Sequence, residues 1–429
     1  MRLAPGLALV PLALSVPAFA QNVIVVDAAA GPGSDYTDLT AAIAAANAGD
    51  ILLLRSGDYA CTQSTLPGIA GFAIGKSLAL HGDTGAQPVL TSTLRVHSLP
   101  ASSWTTLRGL AIRTPFVPVL DGATLYLQSC AGAVRIEDVD VGPNGAPFFG
   151  ATVEVLACPN AALSRVEVDA GDAPQSALFN GSPALGWTAS QGSVHASILR
   201  AHANGATSDG AHGYFGGSGL QLQSGQVFVS ASTLLGGDAG DSGLLQGGTC
   251  GGGADGGDAV ELAGVGTILT SQACAFLPGA GGDALAPCSD GDPGVPVSQP
   301  VGVHVSHGGF PRLLEAASPV REGQNVVVKF YGQNDDVVFL MFSGAPASVS
   351  VPGIVGPLLL SAPNVKLIGN LFAGGSSPVA VSKTAFFPTH DLGAGVEGVQ
   401  VRMQAAFLNP THGTFFSNES DLLLLDASL

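Results

Sequence analysis

The chain has 429 residues, of which 60 are glycine and 11% are charged, and its formal net charge is −17. So large an acidic excess excludes nucleic acid and anionic membranes as partners, because both would repel it. Few charges combined with abundant glycine, alanine and valine point to an all-β body with many turns, and the length implies two domains.

The first twenty residues have the pattern of a secretory signal: Arg2, an apolar run from Leu7 to Leu14, and the small-residue site Ala18-Phe19-Ala20. A mature protein starting at Gln21 would be secreted, either extracellular or held at the cell surface. The leader is too short and too broken by proline to span a bilayer, and no later segment approaches that length, so no membrane insertion is expected. A strand over Val23 to Asp27 comes next. Tyr36 to Ala60 then reads as a small helix capped by Thr37 or Asp38, with Leu39, Ile43 and Ala46 on one face. Gly49 is expected to end it before the apolar strand Ile51 to Leu54.

From there a pattern recurs. Anchored on Leu53, Leu80, Leu107, Ile136, Leu163, Ala196, Ala231 and Ser271, its successive spacings are 27, 27, 29, 27, 33, 35 and 40 residues. Three and five residues after the anchor lie apolar pairs such as Leu110 and Ile112, Val139 and Val141, or Val166 and Val168. A short strand per repeat, stacked on its neighbour, predicts a parallel solenoid of eight or so coils, with the anchors from Leu53 to Ala196 in one inward column. Right-handed winding is the default. The small helix would then cap the open first edge.

These residues carry a resemblance. "VIVVD", then "AAIAAANAGD", then a first coil strand ending in "SGDY" resembles the start of right-handed parallel β-helix proteins of the pectin-lyase-like superfamily. The resemblance implies that fold and little about function, since the superfold hosts pectate lyases, pectinesterases, polygalacturonases, adhesins and proteins of no known activity. The motifs of its catalytic members do not assemble here: lysine is nearly absent, with Lys76 alone before Lys329.

Gly205 to Gly294 contains 25 glycines in 90 residues and neither Lys nor Arg. Asp238, Asp241, Asp255 and Asp258 sit there in partial likeness to calcium-binding nonapeptides. The alternatives are extruded turn-rich loops, the preferred reading, or a calcium set. From about 315 onward, seven strand-like runs such as "NVVVKFYG" and "VVFLMFSG" predict a small antiparallel β-sandwich over 315–429, as on other repeat-rich secreted bacterial proteins, with the β-helix over 21–314.

Six cysteines in an exported chain imply disulfides. Cys130 and Cys158 precede their anchors by six and five residues, and Cys250 and Cys288 fall in successive glycine-rich loops, so the pairs Cys130–Cys158 and Cys250–Cys288 are expected, with Cys61 and Cys274 free. The outward positions of neighbouring coils bring Arg113, Asp140, Glu167, Asp169, Arg200 and His202 onto one face. Such a patch serves acid–base chemistry, ligand binding, or a solvated ladder of ion pairs. With no complete catalytic set, the expected function is binding of a glycan or other envelope or cell-surface polymer. The alternatives are a polysaccharide lyase or glycosidase with a divergent site, and a purely structural matrix protein.

Overall fold

The computed structural model describes residues 21–61, 71–114, 123–142, 151–171, 181–203, 214–242, 252–284, 286, 288–370 and 379–429. The expected signal segment lies outside them. One helix, Leu39–Ala45, is capped by Asp38, whose Oδ1 accepts Thr40 N at 2.7 Å. It ends before Gly49, the expected terminator. Gly49 instead turns the chain, at φ 99°, into the strand Ile51–Leu54.

The rest is a parallel β-helix of about seven turns followed by antiparallel sheets. Each coil contributes to three walls. The first wall stacks Val23–Val26, Ile51–Leu54, Leu78–Gly82, the front halves of Trp104–Ile112 and Ala133–Val141, and Ala161–Ser164. The second stacks the back halves of those two long strands with Glu167–Asp169, Ile198–Arg200 and Thr233–Leu235. The third stacks Gly71–Ile74, Thr93–His97, Leu125–Gln128 and Val153–Leu156 under later coils.

Leu80, Leu107, Ile136 and Leu163 form one buried inward column, as expected. Three anchors slip. Leu80 pairs with Leu52, not Leu53, and the column continues through Val194 and Val229, not Ala196 and Ala231. "ILLL" carries no alternation because both its faces are covered, the outer one by Leu423 and Leu425. Ala196 and Ala231 are corner residues, at φ 47° and 50°.

These corners have a rule of their own. Ser129, Ala157 and Ala189 turn the third wall into the first, and Ala196, Ala231 and Ala273 turn the first into the second, all at φ near +50°. Left-handed corners at Ser98, Asp138, Arg165 and Ser224 are followed by Leu99, Val139, Val166 and Gly225, but at these six the next residue is Cys or Ser: Cys130, Cys158, Ser190, Ser197, Ser232 and Cys274. Each donates to the carbonyl two residues back, at 2.8 Å for the serines and 3.4 Å for the cysteines. Each hydroxyl also accepts the N–H of the coil before it, as in Ser197 N to Ser232 Oγ at 3.1 Å and Cys158 N to Ser190 Oγ at 2.9 Å. The side chain thus satisfies two backbone groups that the bend would leave unpaired.

This corrects the expected Cys130–Cys158 disulfide. The register was right, and the sulfurs touch: their mutual hydrogen bond lowers the Cys130 pKa and raises that of Cys158. Both are nevertheless free thiols. In-register parallel strands keep equivalent Cβ atoms about 4.8 Å apart, wider than the roughly 3.5–4.5 Å of a disulfide. Cys61 and Cys274 are free, as expected. Cys274 does not follow Leu199 and Leu234, whose column continues to Phe276; it tops the Ser197–Ser232 ladder. Cys288 is not among the free thiols, and its expected partner Cys250 lies outside the described residues.

The glycine-rich stretch is ordered by backbone. Gly236, Ala239 and Ser242 donate to the carbonyls of Leu277, Ala280 and Asp283, and Gly253, Gly256 and Ala259 donate to Ser289, Asp292 and Val295. Hydrogen bonds recurring every third residue match the three-residue turn of polyproline II, here bundled as in collagen. A row of glycines runs through the middle: Gly237 N reaches Gly217 O, Gly257 N reaches Gly237 O, and Gly279 N reaches Gly257 O, at 2.8–2.9 Å. A Cβ on Gly237 would stand 1.9 Å from His202 O, and one on Gly257 the same distance from Gly217 O.

Beyond Val303–His307, a three-stranded antiparallel sheet and a six-stranded, mainly antiparallel one share a core of Leu314, Phe330, Leu340, Val401, Phe407 and neighbours. They lie against the first wall. Arg135 and Arg402 meet Glu419 there, Arg108 and Arg165 meet Glu137, and Asp421 N donates to Glu137 Oε2 at 2.7 Å. All but Arg165 are buried. Pairs so desolvated contribute specificity of seating more than stability.

Candidate functional site

The structure places the expected patch on the second wall. Asp140 and Glu167 are register partners, as are Asp169 and Arg200. Arg113 pairs with Asp140, and Arg200 Nη2 lies 3.7 Å from Glu167 Oε1, with all four side chains between 39% and 51% exposed. His202 is not with them. The wall strand stops at Arg200, the chain turns into the glycine bundle, and His202 is buried with its carbonyl accepting Gly217 N. What remains is a wet ladder of ion pairs, each contributing little.

The aspartates of the glycine bundle do not converge either. Asp238, Asp241, Asp255 and Asp258 each accept one backbone N–H of the adjoining segment, from Ala280, Asp283, Asp292 and Val295 at 2.7–2.9 Å. Among the described residues, no three His, Cys, Asp or Glu side chains gather as a metal ion would need.

A site the sequence reading missed lies on the third wall. Its alternating strands bury Leu94, Val96, Leu125, Leu127, Val153 and Val155 and turn one outward column through Arg95, Tyr126, Glu154, Gly186, Gln221 and Glu261. The Arg95 guanidinium lies 4.7 Å over the Tyr126 ring. Burial raises the Glu154 pKa, while a hydrogen bond from Ala151 N–H pulls the other way. Gly186, above it, leaves a notch into which Glu154 leans: a Cβ there would sit 2.5 Å from Oε2. Beyond the notch Gln221 Nε2 donates to Glu261 Oε2 at 2.9 Å.

The column is therefore an outward row that carries an aromatic ring stacked on a guanidinium, a desolvated carboxyl and an amide–carboxylate pair. The signal was the alternation in "LRVH", "LYLQ" and "VEVL", which the anchors on the other walls passed over. Glu154 and Glu261 stand three rungs apart, about 14 Å at the backbone, against the roughly 5–9.5 Å between the carboxyls of a glycosidase. They are not built as a hydrolytic pair.

No family model matches the chain, and no curated protein matches it. Among solved structures it is similar to pectate lyase Pel9A, at 16% identity over 60% of this chain with a TM-score of 0.23. It spans 64% of that protein's length. It is also similar to the enzymatically active domain of bacteriophage CBA120 tailspike protein 2, at 10% identity over 88% of this chain and 72% of that one, TM-score 0.19. Both are parallel β-helix proteins. At these values no residue role carries over, and the fold rests on the chain's own strand pairings. Among the described residues no helix is long and apolar enough to cross a membrane.

Proposed function

We propose that this is an exported β-helix protein that binds a polysaccharide along its third wall without cleaving it. The observation that carries the reading is the outward Arg95–Tyr126–Glu154 row, whose carboxyl leans over Gly186. The Tyr126 ring, one face of which the Arg95 guanidinium covers, offers apolar area to the C–H face of a sugar, while Gln221, Glu261 and Arg95 supply donors and acceptors for hydroxyls. A column along the solenoid axis suits an extended polymer, and the first wall is closed to one by the C-terminal sheets. Glu154 favours a second reading. Burial favours the protonated form of this carboxyl, the form that a divergent lyase or glycosidase would use as an acid.

The test is a glycan array followed by a lyase and hydrolase screen on the purified protein. Binding to at least one polysaccharide, weakened roughly tenfold by Tyr126→Ala (about 1.4 kcal/mol), is the expected result. Release of shorter chains, abolished by Glu154→Gln, would replace it with the catalytic reading.

A further inference from the structure

A concavity lies where the C-terminal sheets overhang the last coils of the first wall. Its floor is the outward face of Leu185–His195, Leu220–Ser230 and Ile268–Gln272, whose alternation turns Val227 and Leu269 inward and leaves Gln191, Gln226 and Thr270 facing out. Its roof is the strand Pro346–Ser350, with Ser348 and Ser350, and the turn from Gly353 to Pro357. The half-open cleft has a volume of about 540 Å³, within the usual range of small-ligand sites.

The chemistry of the lining is specific. Amides and hydroxyls supply its hydrogen bonds, with His307 at one edge, and none of the described lining residues is Asp, Glu, Lys or Arg. Phe228, Ile354 and Pro357 make an apolar side. The Phe228 ring is held between the His195 ring, 5.6 Å away, and the backbone of Gly356, where a Cβ would stand 3.4 Å from the ring. Ser193 and His195, on the same outward face and almost fully buried, leave Oγ and Nε2 with no hydrogen-bond partner. A polar, uncharged, half-apolar cleft disfavours ions and bare hydrocarbons alike. A neutral sugar, with hydroxyls on its edges and C–H groups on its faces, satisfies both halves.

We propose that this cleft is a binding site for a neutral mono- or disaccharide, separate from the third-wall column. Its rim belongs to the solenoid on one side and to the C-terminal sheets on the other, so an occupant would bridge the two.

The probes are glucose, galactose, mannose, N-acetylglucosamine, cellobiose, maltose, lactose and, as the charged control, galacturonic acid, titrated by calorimetry against the full chain. At least one neutral sugar is expected to bind saturably and galacturonic acid not to bind. Ser348→Trp, which fills the cleft from its roof, and Gln226→Ala should each weaken binding at least tenfold, while Tyr126→Ala leaves it unchanged. Thermal melts confirm that the variants are folded. Should no neutral sugar bind, or Ser348→Trp leave binding intact in a folded protein, the proposal is overturned. Loss of binding in Tyr126→Ala would also overturn it by moving the sugar to the third-wall column, whereas failure of polysaccharide binding alone touches only that column.

Discussion

In the walls of the solenoid, successive coils stack through what they hide: Leu80, Leu107, Ile136 and Leu163 sit above one another and the backbone ladder follows. Along the glycine-rich corner, the same chain stacks with almost nothing to hide. There backbone meets backbone every third residue, and side chains are excluded from the row through Gly217, Gly237, Gly257 and Gly279. A wall thus tolerates any apolar side chain of the right volume but no lost volume, whereas the bundle tolerates almost any loss but no gain at the row. The two regions should fail under opposite substitutions.

Truncating the wall gives the largest effect. Leu163→Ala should cost about 2–5 kcal/mol in urea melts and leave amide exchange at Gly237 and Gly257 unchanged. Acid attacks the wall next. Burial pushes the His195 pKa down to about 3. Its contribution is present above the ordinary value near 6.5 and is lost as pH falls below it, because the unfolded chain takes the proton first. By pH 4 the loss is on the order of 3 kcal/mol, and His195→Gln should flatten that slope between pH 7 and 4.

Gly257→Ala reverses the pattern. One methyl group, pressed against a neighbouring backbone, should cost about 1–3 kcal/mol, seen as faster amide exchange at Gly237 and Gly279 with the wall amides still protected. Asp258→Ala removes the acceptor of Val295 N–H and should cost about 1 kcal/mol, confined to the same amides. The smallest effect belongs to the corners. Cys130→Ser should stay within about 1 kcal/mol in thermal melts, since serine already fills the equivalent place at Ser190.

How legible each region was follows from the same contrast. Coils announced themselves because burial on one side imposes alternation, which is why Leu80 to Leu163 and the pairs from Leu110 to Val168 could be read directly. The reading slipped where alternation is missing or bent: at Leu53, covered on both sides, and at Ala196 and Ala231, which turn a corner. His202 was misplaced because its strand ends two residues earlier. Cys130 and Cys158 looked like a bridge because spacing reports that two positions stack but not how their Cβ atoms point. The outward column at Arg95, Tyr126 and Glu154 was written as plainly as the second-wall patch, but on strands without an anchor. The glycine bundle was hardest to see, because its three-residue period is neither the strand's two nor the helix's 3.6 and carries no hydrophobic signal.

That three-residue period makes the corner behave like a reading frame. Deleting Gly237 alone would put Asp238 in its place in the row and separate Asp238 and Asp241 from Ala280 and Asp283, which they hold at 2.7 and 2.8 Å. Deleting three would restore the phase, so that the segment merely loses one turn. Length variation here should come in triplets, whereas in the walls the unit of insertion is an entire coil, and chains descended from a common ancestor should differ by those two quanta.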